Sequence, residues 1–144
     1  MVRINVVCVG KVKEKYIKDG IEEFLKRLSK YVKLDIIELT EEDDNKGVKN
    51  AVDIETQRII GAITKKNYSY SILLDLSGKM MTSVEMAEKI EKILLTNSEI
   101  NFIIGGSNGV NDNLREIADF RLCFSKMTFP HQLMRLILSE QIYR

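Results

Sequence analysis

Apolar residues along the chain alternate between two periods. Ile4, Val6, Val7, Cys8 and Val9 form a nearly continuous run closed by Gly10, the pattern of a strand buried on both faces. Ile17, Ile21, Phe24, Leu25, Leu28 and Tyr31 then recur at helical spacing, with Lys and Glu between them. Leu34–Leu39 reads as a second strand and EEDDNKG, residues 41–47, as a polar loop. Val52, Gln57, Ile60 and Ile63 predict a weaker helix over 48–66. Tyr70–Leu76 is a third strand, closed by Ser77-Gly78. Thr82, with Glu85 three residues on, is the better cap for the next helix, whose stripe is Met86, Ile90, Ile93 and Leu94. Ile100–Ile104 is a fourth strand, followed by GGSNG. Asn111 or Asp112 caps a short helix through Ala118, and Phe120–Phe124 is a fifth strand. A last helix runs from Pro130 to Tyr143, with proline at its start, where a missing N–H costs nothing.

Strands alternating with helices predict an α/β fold: a mainly parallel five-strand sheet with helices on both faces. The composition shifts nowhere enough to mark a boundary, so 1–144 is expected to be one domain. Strand order cannot be read from this pattern. In the last helix, Leu133, Met134, Leu136, Ile137, Leu138 and Ile142 cover most of the circumference. Such a helix needs cover on more than one side. The sheet is one cover and a second copy of the chain the other, which predicts a homodimer built on this helix.

Hydrophobic residues make up 44% and charged residues 30%, ordinary values for a soluble globular chain. The apolar runs are too short to span a bilayer, and the start lacks the pattern of a secretory leader, so the expected place is the cytoplasm. Cys8 and Cys123 each sit in an apolar strand, without a ligand partner at metal spacing; two buried reduced thiols are expected rather than a disulfide. The net charge of +1 hides a segregation: residues 1–33 carry nine Lys/Arg against four Asp/Glu, and residues 34–60 carry three against eight. The basic third can meet a phosphate backbone, or it is simply a solvated helix face.

Three segments follow strand ends on the edge where open parallel sheets bind ligands. INFIIGGSNGV places Gly105, Gly106 and Gly109 there, but lacks both the Lys-Ser/Thr of a P-loop and the full dinucleotide glycine spacing. A bound ligand is therefore not expected to be held by its phosphates. LLDLSGKMM and FSKMTFP occupy the matching edge after two other strands. Together they can offer backbone amides and carbonyls to a flat heterocycle, with Leu74, Leu76, Phe124 and Met127 around it. Equally, all three can be turns with apolar anchors. With one histidine, His131, a His-rich metal site is excluded. Neither Ser125 nor Ser139 stands in a nucleophile elbow, and Asp75 and Glu140 are isolated carboxylates read as structural.

Taken together, VGKVKEKY (Val9–Tyr16), LSGKMMTS, FIIGGSNGV and FSKMTFPHQLMRLILSEQIYR resemble one family across the whole chain. It is the SPOUT-class 23S rRNA pseudouridine-N3 methyltransferases, the ribosomal large subunit methyltransferase H family. The resemblance implies a five-strand α/β domain with a C-terminal trefoil knot, a fold feature that periodicity does not reveal. It implies S-adenosylmethionine as cofactor, contacted by Leu74, Gly105, Phe124, Ser125, Lys126, Met127, Thr128 and Phe129. It implies a homodimer with sites at the subunit interface, and methyl transfer to N3 of a pseudouridine in large-subunit rRNA of the ribosome. No metal is needed. His131, the only imidazole, is the candidate base for the ring proton, although its place in the first turn of a helix explains it as well. Arg135, one turn on, is placed to meet rRNA phosphate or to pair across the dimer. Family members continue beyond this point with a short basic tail, whereas the present sequence ends at Tyr143-Arg144. Cofactor binding is thus expected of these residues, and catalysis is expected to need the tail. Two other readings share the residue pattern: a non-catalytic nucleotide- or RNA-binding module of the same fold, and a flavodoxin-like carrier.

Overall fold

The computed structural model describes residues 1–63 and 68–144. Residues 64–66 of the helix expected over 48–66 lie outside the described residues. The described elements alternate: β1 (Val2–Val9), α1 (Lys15–Leu28), β2 (Val32–Leu39), α2 (Val48–Ile63), β3 (Ser69–Met80), α3 (Ser83–Ile93), β4 (Glu99–Ile104), α4 (Asp112–Ile117), β5 (Phe120–Cys123) and α5 (His131–Tyr143). The five strands form one parallel sheet in the order β2-β1-β4-β3-β5. The α/β class and the five strands therefore agree with the sequence pattern.

Successive side chains of a strand point to opposite faces, so a sheet covered on both sides builds two cores. On one face Val6, Cys8, Phe102, Ile104 and Ile72 pack with Met86 and Ile93 of α3 and Leu138 of α5. On the other, Val7, Val9, Ile103 and Leu73 pack with Ile59 and Ile63 of α2 and Leu114 of α4. Every residue of β4 is buried, as befits the central strand. Thr82 caps α3 in a full capping box: its Oγ1 accepts from the Glu85 amide at 3.1 Å, and the Glu85 carboxylate accepts from the Thr82 amide at 3.0 Å.

Three features depart from the pattern. The Ser77-Gly78 pair does not end β3. The strand bulges, so that Leu122 of β5 faces both Leu74 and Lys79, and pairing resumes as far as Met80 with Cys123. The buried stripe of α2 is Ala51, Val52, Glu55, Thr56, Ile59 and Ile63, while Gln57 is exposed. Finally, α5 finds a second cover within the chain. Helix α1 lies along it, and a Cβ on Gly20 would stand only 2.8 Å from Leu136 Cδ1. The Phe24 and Tyr143 rings are 5.9 Å apart, with the Arg27 guanidinium 5.5 and 5.7 Å from their centres.

Both cysteines are free and buried. Burial pushes the Cys8 thiol up to about 11, against the pull of the nearby Arg135 charge. It stays protonated at neutral pH and is inert as a nucleophile.

Candidate functional site

The loops that follow β3, β4 and β5 meet at the carboxyl edge of the sheet and enclose a cleft of about 700 Å³. That volume suits a nucleoside-sized ligand. Leu74 and Leu76 come from the β3 bulge, Gly105 and Gly106 from the glycine loop, and Phe124, Ser125, Met127, Thr128 and Phe129 from the segment after β5. His131 and Met134, from the first turn of α5, also line it. Of the residues expected to touch the cofactor, only Lys126 is not on the wall; its side chain is exposed. Leu76 and Met127 are more than half exposed and form the rim.

Each loop is held in place by specific contacts. In the β3 bulge the Asp75 side chain turns inward, 7% exposed, and binds Arg115 Nε at 3.0 Å. It also accepts from the Ser77 amide at 3.2 Å and lies 3.5 Å from Arg121. Burial disfavours the Asp75 charge, but the Ser77 amide and hydroxyl and the Arg115 guanidinium outweigh it and hold the carboxyl below its usual range. The segment after β5 folds on itself: the Met127 amide donates to Ser125 Oγ at 3.0 Å, and the Cys123 thiol to the Ser125 carbonyl at 3.1 Å.

The glycine loop is braced from α2. The buried Glu55 accepts from the Glu42 amide at 2.9 Å and lies under Gly106, where a Cβ would come within 2.9 Å of Glu55 Oε1. Burial raises the Glu55 pKa, against the pull of the Glu42 amide. Thr56 Oγ1 accepts from the Asn111 amide at 3.3 Å, Asp53 from the Asn111 side-chain amide at 3.1 Å, and Asp44 from that of Asn108 at 3.0 Å. Only a backbone without side chains at 105 and 106 can lie this close to α2 and Val110.

Apolar periodicity missed this bracing because its members, Asp53, Glu55 and Thr56, are polar. The sequence signal was the place of Glu55 and Thr56, each three or four residues from Val52 and Ile59 and so on the same helix face. Arg115, which lines the cleft and ties α4 to Asp75, was also missed.

His131 stands at the cleft wall. Burial and the Arg135 charge hold its imidazole below the usual value, against the pull of Glu41. It is therefore largely neutral at pH 7. Arg135 is not at the surface where phosphate contact was expected. It is 1% exposed. Its guanidinium donates to Glu38 at 2.9 Å and to the Val9 and Gly10 carbonyls at 2.8 Å each. A buried charge so engaged secures α5 to the end of β1 and has no reach to a solvent polyanion.

Among the described residues, no group of three or more His, Cys, Asp and Glu side chains is placed to hold a metal ion. Nor is any described helix long and apolar enough to cross a membrane.

A cleft formed by the loops at the carboxyl edge of a parallel sheet is where open α/β folds bind their ligands. Residues 2–144 match the family described as Predicted SPOUT methyltransferase, and the chain belongs to that family. It is 51% identical over 142 residues to the ribosomal RNA large subunit methyltransferase H of Fusobacterium nucleatum, covering 98% of this chain and 91% of that protein. The protein of the same name from Clostridioides difficile is 52% identical over 147 residues, with the same two coverages. That of Alkaliphilus oremlandii is 48% identical over 145 residues, again covering 98% and 91%.

Proposed function

We propose that this chain transfers a methyl group from S-adenosylmethionine to N3 of a pseudouridine in large-subunit 23S rRNA, in the cytoplasm and as a homodimer. The observation that carries the reading is the single cleft built by the loops after β3, β4 and β5, in a chain of the SPOUT methyltransferase family. The names of the relatives, rRNA large subunit methyltransferases, support the substrate. The incompletely buried Leu133 and Ile137 on α5 support its use as a dimer face beside α1.

The residues present fit the cofactor. The backbone of 124–129 and Gly105 would hold the polar edges of the adenosine, with Leu74, Leu76, Phe124 and Met127 against its faces. S-adenosylmethionine supplies an electrophilic methyl group on a sulfonium, so the protein's task is mainly alignment. A neutral His131 on the cleft wall is suited to accept the pseudouridine N3 proton. The Arg115–Asp75 pair fixes the bulge that carries Leu74 and Leu76.

The test uses unmethylated ribosomes and labelled cofactor. The protein should place label on large-subunit rRNA, and calorimetry should show that it binds the cofactor. Binding without transfer would favour the non-catalytic module; no heat at millimolar cofactor would remove the cleft assignment. Gly105→Val tests the glycine loop directly. Its side chain meets Val110 first, since a Cβ alone would lie 2.8 Å from Val110 Cγ1. The loop must move, and cofactor affinity should fall at least about tenfold in a protein that stays folded. Affinity within twofold of the parent would deprive the loop of its role.

A further inference from the structure

We infer that the β1–α1 segment, Lys11 to Lys18, is the surface that grips the phosphate backbone of the RNA substrate. The inference rests on the proposed rRNA reading and adds a contact surface to it. Residues 11–18 hold four lysines and one acid, Glu14, with Tyr16 among them. All four lysines are exposed, and Tyr16 is 68% exposed. Of these four lysines only Lys15 has an ion pair with a described residue, Asp19, at 3.1 Å.

Fold stability does not account for this arrangement. The lysines lie before and in the first turn or so of α1, where the helix dipole is positive and cations are disfavoured. That first turn has no acidic residue, and the N-cap, Glu14, makes no side-chain cap. A helix start that breaks local electrostatic preference without a structural gain points to function.

Position and shape strengthen the assignment. The Lys13 amide donates to Gln132 Oε1 at 2.9 Å, and Gln132 adjoins His131 on the cleft wall. An RNA strand held on the segment therefore runs beside the opening where its base must enter. Below Lys11 and Lys18 the surface dips into a groove of about 240 Å³. Glu22, Glu38 and the buried Arg135 also line it, but the Arg135 guanidinium is held by Glu38 and the Val9 and Gly10 carbonyls, so Lys11 and Lys18 are the cations the groove offers to a phosphate. On the other side of Gly10 stands Glu41, first of four consecutive acids, which would repel a polyanion and confine it to the lysine side. The exposed Tyr16 ring offers a platform for an unpaired base, a contact that a plain solvated lysine face lacks.

Binding to purified unmethylated large ribosomal subunits, measured by co-sedimentation at several salt concentrations, tests this. The triple variant Lys11→Ala/Lys13→Ala/Lys18→Ala should bind about tenfold or more weakly near 100 mM salt, with the slope of log K against log salt reduced by about three. Tyr16→Ala should weaken binding roughly 5- to 100-fold, and Tyr16→Phe should restore it. The control Lys26→Ala/Lys30→Ala/Lys33→Ala removes the same charge from the far end of α1 and beyond, and should change the slope far less. Cofactor affinity and thermal midpoint of the first triple variant should match the parent. Equal losses in both triple variants, or none in the first, would overturn the inference while leaving methyl transfer intact. Failure of the parent to bind cofactor would instead overturn the functional reading, whatever the lysines do.

Discussion

Gly78→Ala is expected to destabilise the protein by about 2–4 kcal/mol, a large effect for the smallest possible side-chain addition. The cause is contact, not backbone conformation. A Cβ at Gly78 would lie 2.7 Å from the carbonyl carbon and oxygen of Arg121 and 2.9 Å from the amide nitrogen of Leu122. These are backbone atoms of β5, which cannot swing aside as a side chain can. The two strands must part at the bulge. β5 is an edge strand of four residues whose only neighbour in the sheet is β3. Parting them also displaces the 124–129 segment and Leu74, both of which line the cleft. Urea unfolding should show a lower midpoint at unchanged slope, and calorimetry a weaker cofactor affinity. Gly61→Ala is the control: it lies within α2, and its Cβ would meet nothing within 4 Å. That change should be neutral or stabilising by about 0.5–1 kcal/mol. Equal midpoints for Gly78→Ala and the parent would show that β5 can yield without loss.

The same residue marks where local sequence signals stop being informative. Ser77-Gly78 has the composition of a turn, which predicts that β3 ends there. The strand resumes because β5 offers it a second stretch of partner backbone, a tertiary contact that a local pattern does not contain. By contrast, β1 and β4 were legible because sheets covered on both faces demand uninterrupted apolar runs, and both strands have them. Strand order was not legible, since helical crossovers of similar length can join near or distant strands.

The cleft was legible to a similar degree. Its three loops were found from one rule, that parallel sheets bind ligands at the carboxyl edge. The structure brings Leu74, Gly105 and most of Phe124–Phe129 to one wall system, and leaves Lys126 pointing to solvent. The supports were not legible. Glu55, Thr56 and Asp53 are polar residues on a buried or half-buried helix face, and an apolar stripe search passes over them. Asp75 looked isolated in the sequence because Arg115 reaches it from 40 residues away.

Removing Arg135 is expected to cost more than any other single change in α5. Arg135→Met preserves most of the side-chain length but takes away the hydrogen bonds to Val9 O, Gly10 O and Glu38. Two buried carbonyls would lose a charged donor, each at about 1–3 kcal/mol. Glu38 is 37% exposed and can recover water, so it adds less. A total of about 3–5 kcal/mol is expected, in the range for breaking a buried charged pair. Arg135→Lys should recover only part of this, because an ammonium group lacks the planar fork that reaches three acceptors. A cycle with Glu38→Gln separates the ion-pair share from the carbonyl share. Were Arg135 the phosphate contact that its place one turn beyond His131 suggested, the result would differ in kind. Arg135→Met would then keep its unfolding midpoint and lose salt-dependent affinity for ribosomal subunits. The geometry predicts the opposite: a large loss of stability and, at a temperature where the variant is folded, a salt slope close to the parent's. The burial of a charge in a helix apolar almost all round explains both its cost and its place. It seals the end of β1 against α5, and so fixes the turn from which the Lys11–Lys18 segment departs.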